Sequence, residues 1–303
     1  MGDEQPRPPL SVVIATTAGW PYVAPLLASL RDQAAAVGAE IVIADGSGRP
    51  PPTPAEAGPL TRWLAYDEPA VFGLFMLGLR AARGEVVATT EDHCLVRPDW
   101  CAAILRAHAE HPTAAAIGGA IENGSSESLL DWASFFITQG LHMAPLGQRE
   151  VPLTTNEACL SFKRWAIGRL GDSAGRGFMA ILELRRLAEQ GLSQRVDERM
   201  VVDHFQTIGT AATFAIHYHN GRSIAGFRRA RGMEAEDWLR MAAALVLPFA
   251  RTARAFGTVW AKGRRRGTLL ASLPLMLLLD LAQGAGHLVG YARGAGDSPR
   301  YLR

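Results

Sequence analysis

Three adjacent side chains that can bind a cation or accept a proton follow a short apolar run near residue 90. Glu91, Asp92 and His93 come after Val86–Ala88 and two threonines. Carboxylate oxygens are the ligands that Mg²⁺ and Mn²⁺ prefer, and imidazole suits Mn²⁺ better than Mg²⁺. The triplet therefore indicates a divalent-cation site. A hydrogen-bonded surface turn is the alternative.

Two further apolar runs also end in polar residues. Thr16 follows Leu10–Ala15, and Asp45 follows Glu40–Ala44. Unbroken β-branched runs predict strands buried on both faces, and helical patterns separate them, so we predict a mostly parallel α/β sheet. Ligands bind beyond the carboxyl ends of such strands. We expect the three polar strand ends to face one cleft, with three unrelated turns as the alternative.

The order of these motifs resembles family 2 glycosyltransferases of the GT-A fold. The segments "LSVVIATTAGW", "EIVIADGSG" and "ARGEVVATTEDHCLVRPDW" match, in order, the family's first strand, its D-G-S strand end and its acidic triplet with P-x-W. The resemblance covers residues 10–164 and continues weakly beyond. It implies a GT-A domain that moves a sugar from a nucleotide-diphosphate donor to an acceptor hydroxyl, with inversion.

The resemblance also implies roles for individual residues. Thr16 and Asp45 would contact the nucleoside, while Glu91 and Asp92 would stand where the family binds its nucleotide and cation. The cation, Mn²⁺ or Mg²⁺, would be held by Asp92 and His93. His217, in a predicted strand at 213–218, is a third expected metal ligand because late-strand histidines complete the metal site in GT-A enzymes. A polar strand end is the alternative for His217.

The catalytic carboxylate expected from the resemblance is missing from its usual place. Family members carry it at the head of a helix, and the matching positions here are Met179 and Ala180, in the predicted helix 177–190. Glu183, one turn later, is our predicted base, with a surface residue in a salt-bridged helix as the alternative. Two other acids remain candidates: Glu157, beside Asn156, and Asp172.

The missing acid supports a second interpretation, a catalytically degenerate relative that binds a nucleotide sugar or a protein partner. Two other enzyme classes fit less well. A nucleotidyltransferase needs a glycine-rich loop with Lys or Arg after the first strand, and "TTAGWP" is not one. A dinucleotide oxidoreductase needs G-x-G-x-x-G after a strand, and this motif is absent.

Composition narrows the class further. The chain has 31 Lys and Arg against 29 Asp and Glu and is 48% hydrophobic, which is typical of a folded protein and not of a nucleic-acid-coating one. Three cysteines do not form a disulfide framework, so we expect reduced thiols in a cytoplasmic protein. The N-terminus does not have the pattern of a signal peptide.

The C-terminal part differs in composition from the rest. We predict a GT-A domain at 1–225 and a helical tail at 226–303. Residues 222–266 hold eleven Lys and Arg against three acids.

The apolar segment 267–292 contains Pro274 and Asp280, so we predict a pair of helices lying on an anionic membrane surface rather than a helix that spans the membrane. The protein would then sit on the inner face of the membrane and act on a lipid-linked or surface-polysaccharide acceptor.

Overall fold

The structure, a computed structural model, describes residues 6–153, 155, 157–171, 177–206, 208–244 and 246–302. The chain forms two compact units. Among the described residues, unit 1 comprises those within 6–120, 146–171 and 177–203, and unit 2 comprises those within 121–145 and 204–302. The expected boundary between residues 225 and 226 falls inside a helix of unit 2, Thr210–Ala230.

Nine strands form one sheet in the described part of the chain. They are β1 Leu10–Thr16, β2 Glu40–Asp45, β3 Thr61–Ala65, β4 Val86–Glu91, β5 Cys94–Val96, β6 Ala116–Asn123, β7 Gln148–Glu150, β8 Leu160–Lys163 and β9 Gln194–His204. The order is β3-β2-β1-β4-β8-β6-β9-β5, with β7 on β9. The four strands from β3 to β4 are parallel, and β8 is antiparallel to β4 and β6. Every residue of β1 and β2 is buried, as predicted for strands covered on both faces.

Eleven α-helices occur among the described residues. They are α1 Ala24–Val37, α2 Pro54–Ala57, α3 Val71–Ala81, α4 Trp100–Glu110, α5 Leu129–Thr138, α6 Arg164–Ile167, α7 Ala180–Glu189, α8 Thr210–Ala230, α9 Ala235–Ala242, α10 Leu247–Ala261 and α11 Arg266–Arg293. Helices α1, α3 and α4 separate the strands of unit 1, and this alternation confirms the predicted α/β class. Unit 2 is mainly helical.

The predicted strand at 213–218 is wrong, because these residues lie within α8. The short alternation of apolar and polar residues in "TFAIHYHN" suggested a strand. The buried side of the segment instead follows a four-residue spacing, through Thr213, His217, Gly221 and Ala225. This spacing is that of a helix face. Tertiary packing of the helix therefore overrides the local strand pattern.

The predicted pair of helices at 267–292 is also wrong, since α11 is one helix of 28 residues with Pro274 inside it. In the described residues α11 is the one helix long and apolar enough to cross a membrane, and 44% of its most apolar window is buried. Asp280 is buried in unit 2 and paired there. Arg251 lies 3.1 Å from its carboxylate, and the Thr252 hydroxyl donates to it at 2.7 Å. The partners offset the cost of burying this charge.

Candidate active site

The carboxyl ends of three neighbouring strands bring the predicted polar residues of unit 1 together. Thr16 is paired with Asp45 across β1 and β2, and Ala15 is paired with Glu91 across β1 and β4. The three strand ends thus lie side by side at one edge of the sheet, as the sequence predicted. In an open α/β sheet this edge is where ligands bind.

Asp45 is a buried carboxylate held in a fixed orientation. One oxygen, Oδ1, accepts the backbone N–H of Ser47 at 2.8 Å, and the other, Oδ2, accepts the indole N–H of Trp63 at 2.9 Å. Each carboxylate oxygen can accept a second hydrogen bond. Asp45 therefore keeps capacity for a donor group of a ligand while its own partners orient it.

Thr16 shapes the loop that follows β1. Its hydroxyl oxygen accepts the backbone N–H of Ala18 at 3.1 Å and that of Gly19 at 3.0 Å. Gly19 has a φ of 68°, in the left-handed region that glycine adopts most readily. The loop then places Trp20 edge-to-face with Trp63, with ring centroids 6.4 Å apart. The indole that donates to Asp45 is therefore packed against a second indole, that of Trp20.

The acidic triplet is a compact charge cluster. His93 Nδ1 lies 3.0 Å from an oxygen of Asp92, and His93 Nε2 lies 3.2 Å from an oxygen of Glu91. Burial disfavours the charged imidazole, but the hydrogen bonds to Asp92 and Glu91 outweigh it and raise the pKa of His93 to about 10. Without a cation, His93 is therefore an imidazolium that bridges two carboxylates.

The donor set of the triplet fits a hard divalent cation. Two carboxylates and an imidazole on three consecutive residues are ligand types that Mn²⁺ accepts. The Cys94 thiol also lies within 4.8 Å of a carboxylate oxygen of Glu91. Burial raises the pKa of the Cys94 thiol, with the Glu91 charge adding to the rise, and sulfur is a softer ligand than Mg²⁺ or Mn²⁺ prefers. The oxygen and nitrogen atoms of the triplet are thus the suitable ligands.

Glu157 places a second buried carboxylate at this edge of the sheet. Its oxygen accepts the backbone N–H of Ala180, the first residue of α7, at 2.7 Å. Burial raises the pKa of Glu157 to about 7, the charge of Glu91 adds to the rise, and the Ala180 N–H opposes it. The residue belongs to a short 3₁₀ turn, Glu157–Cys159, which directly precedes β8.

Glu183, the predicted base, is 3% exposed and lies in the first turn of α7. Its carboxylate accepts the backbone N–H of Gly171 at 2.5 Å, so it ties the preceding loop to the helix. The predicted alternative of a solvent-facing residue does not match this burial. Asn156 and Asp172 lie outside the described residues. The catalytic role of Glu183 stays a prediction.

His217 lies in unit 2, in the middle of α8, and not at a strand end. Its Nε2 is 3.0 Å from the hydroxyl of Ser134 on α5. Burial lowers the pKa of His217 to about 4, and the charge of Arg251 adds to the effect. The strand-end argument for His217 as a metal ligand is therefore lost.

The sheet and its ligand edge define a protein of the GT-A fold. The model of the family "Glycosyl transferase family 2" matches residues 11–169, slightly more than half of the chain. The chain therefore belongs to glycosyl transferase family 2, and this confirms the resemblance seen in the sequence.

One solved structure similar to this chain is the mannosyltransferase PcManGT from Pyrobaculum calidifontis in complex with GDP-Man and Mn²⁺. The two share 16% sequence identity, with a TM-score of 0.55, over 95% of this chain and 88% of that chain. At this identity the likeness shows the shared fold. No curated protein matches the sequence.

Sequence reasoning missed Trp63, whose indole N–H donates to Asp45. Asp45 is paired with Ala65 across β2 and β3, and Trp63 is two residues before Ala65. Side chains two apart on a strand lie on one face, so the sequence shows that Trp63 and Ala65 share a face of the sheet. The sequence does not show that Ala65 is paired with Asp45, because the register between β2 and β3 is not visible in a local pattern.

Proposed function

We propose that the protein transfers a sugar from a nucleotide-diphosphate donor to an acceptor hydroxyl, with inversion at the sugar carbon. The main support for this proposal is that Thr16, Asp45 and Glu91 end three adjacent parallel strands at one edge of the sheet. This arrangement supplies an oriented carboxylate for a nucleoside beside acidic residues suited to a diphosphate-bound cation.

The nucleoside lies against Asp45 and the two indoles in this proposal. Asp45 accepts an N–H of the base, since each of its oxygens has acceptor capacity left after bonding Ser47 and Trp63. Guanine and uracil both carry ring N–H groups that suit a carboxylate. Trp20 and Trp63 supply aromatic surface on which a base can rest.

Glu91, Asp92 and His93 hold a divalent cation when the donor is bound. Mn²⁺ or Mg²⁺ would offset the negative charge that develops on the departing diphosphate. In the structure both ring nitrogens of His93 bond to the carboxylates of Asp92 and Glu91, so cation binding would have to break at least one of the two contacts. His93 would have to lose its proton to become a ligand, which favours Mn²⁺, the ion that accepts imidazole more readily.

The reaction needs one proton acceptor on the protein. The acceptor hydroxyl attacks the sugar carbon on the side opposite the diphosphate, and a carboxylate takes the hydroxyl proton. The new bond forms from the acceptor oxygen while the bond to the diphosphate oxygen breaks, so the sugar carbon is inverted. The sequence assigns the proton acceptor to Glu183.

The surface of unit 2 supports a proposal for the class of acceptor. This unit exposes large apolar side chains and carries the basic segment 222–266, and these features suit a peripheral position on an anionic membrane. We therefore assign a lipid-linked or surface-polysaccharide acceptor at the cytoplasmic face. Two residues of the basic segment are held in place within unit 2. Lys262 donates to the backbone carbonyl of Met143, and Arg264 donates to the carboxylate of Glu122.

Calorimetry with GDP tests the donor and cation sites together. We expect wild-type protein to bind GDP in the presence of Mn²⁺ and to lose most of this affinity in chelator. Asp92→Asn should remove the Mn²⁺ dependence and weaken binding at least about 10- to 100-fold, the range seen when even an outer-shell partner of a metal is lost.

Asp99→Asn is the matched control for this experiment. Asp99 is exposed, and its φ of 64° is one that asparagine tolerates well. It makes the same charge change seven residues away, so its GDP affinity should equal that of the wild type. Binding of GDP that ignores both the chelator and Asp92→Asn would contradict the cation site.

A further inference from the structure

One buried carboxylate at the ligand edge has no part in the proposed donor or cation site. β8 runs antiparallel to β4, and Leu160 is paired with Thr89. The residues just before Leu160 therefore continue past the carboxyl end of β4, where Glu91 and Asp92 lie. Glu157 is three residues before Leu160, so the topology places it at the edge where the cation and diphosphate would be.

The contacts of Glu157 hold its carboxylate at the head of α7. The backbone N–H of Ala180 donates to it at 2.7 Å. The head of the helix is held in turn, because the N–H of Phe178 donates to the carbonyl of Phe72 at 2.8 Å. A carboxylate at a helix N-terminus is stabilised by the partial positive charge there. The side chain is thus fixed in place, as a catalytic group requires.

We propose that Glu157, and not Glu183, is the general base of the transfer reaction. The inference rests on the proposed function and adds the proton acceptor that this function needs. Glu157 takes the proton of the acceptor hydroxyl as the hydroxyl oxygen bonds to the sugar carbon. The bond from that carbon to the diphosphate breaks, the electron pair leaves with the diphosphate, and the proton passes later to solvent.

The protonation behaviour of Glu157 agrees with this role. Burial raises the pKa of Glu157 above its ordinary value, which makes its carboxylate a stronger base than an exposed one. Glu183 lies within the first turn of α7, where its carboxylate accepts the backbone N–H of Gly171, whereas Glu157 lies just before β8, the strand beside β4.

The test measures nucleoside diphosphate released from GDP-mannose and from UDP-hexoses, with Mn²⁺ and with water or a simple hydroxyl compound as acceptor. Glu157→Gln should lower kcat by about 10²–10⁴ while KM and GDP affinity change less than about twofold. Glutamine can still accept the Ala180 N–H, so the fold should persist, and an unchanged melting temperature checks this. Glu157→Asp keeps a carboxylate and should retain part of the rate.

Two further variants complete the comparison. Glu183→Gln tests the rival base, and Glu189→Gln is the matched control, an exposed residue of α7. Full activity in Glu157→Gln, or loss in Glu183→Gln alone, overturns the assignment and leaves the proposed function intact. A Glu157→Gln protein that also loses GDP binding overturns it in favour of a structural role. Failure of the wild type to use any donor overturns the proposed function itself.

Discussion

At the scale of single residues, Asp45 decides whether the donor pocket is where we place it. Asp45→Ala removes the carboxylate that would accept a hydrogen bond from the nucleobase, and it leaves the Trp63 indole N–H without its partner. We expect GDP binding to weaken by about 1–3 kcal/mol, roughly 5- to 150-fold in Kd. The measurement is calorimetry on folded protein.

Asp67→Ala is the control for Asp45→Ala, because Asp67 is an exposed acid that loses the same charge. Its GDP affinity should stay at the wild-type value. Equal affinities in wild type and Asp45→Ala would remove Asp45 from the site. A matching loss in Asp67→Ala would mean that the effect is one of net charge and not of a hydrogen bond.

The sequence predicted some site residues and missed others for one physical reason. Thr16, Asp45 and the triplet each end an apolar run, and strand ends are visible in a local pattern. The contact between Glu157 and Ala180 joins residues 23 apart through tertiary structure. No spacing along the chain signals this contact, so the sequence offers Glu157 only as one of three candidate acids, and the choice of base stays a prediction. The partner of Asp45, Trp63, was missed because strand register is also non-local.

At the scale of elements, α8 and α11 pack closely through glycines. A Cβ at Gly286 would overlap the carbonyl oxygen of Tyr218, and one at Gly221 would overlap the carbonyl oxygen of Gln283. Small residues on both helices allow their backbones to approach. This packing favours a helix over a strand at residues 213–218.

The glycine packing predicts opposite effects for the same substitution at two points of α11. Gly286→Ala should lower the free energy of unfolding by about 1–3 kcal/mol, because backbone atoms of α8 must move to admit the methyl group. Gly267→Ala meets nothing within 4 Å and should be neutral or raise it by up to about 1 kcal/mol. Urea unfolding measures both. Equal effects at the two positions would contradict close packing of α8 on α11.

At the scale of the whole molecule, unit 2 exposes an apolar segment that a soluble protein seldom shows. Within twelve residues, Trp238, Leu239, Val246 and Phe249 are each more than half exposed. Their burial in a lipid surface would gain roughly 1.5–3 kcal/mol for each side chain. Together with the basic residues nearby in sequence, they predict peripheral binding to anionic membranes.

Flotation with lipid vesicles tests the membrane prediction. The protein should float with phosphatidylglycerol-containing vesicles, bind pure phosphatidylcholine more weakly, and be released in part by high salt or carbonate. The double variant Leu239→Ser and Phe249→Ser should lower binding at least about tenfold. Trp165→Ser, an exposed apolar residue of unit 1, should not. Complete resistance to carbonate would contradict a peripheral position and favour insertion of α11.

The central claim is that this family 2 protein transfers a sugar from a nucleotide-diphosphate donor with the help of a divalent cation. Incubating the wild-type protein with Mn²⁺ and a panel of sugar nucleotides, and measuring the nucleoside diphosphate released by mass spectrometry, tests it most directly. We predict release from at least one donor, abolished by chelator and restored by Mn²⁺. Binding of nucleotide without release from any donor would contradict the claim and favour a non-catalytic relative that only binds nucleotide sugars.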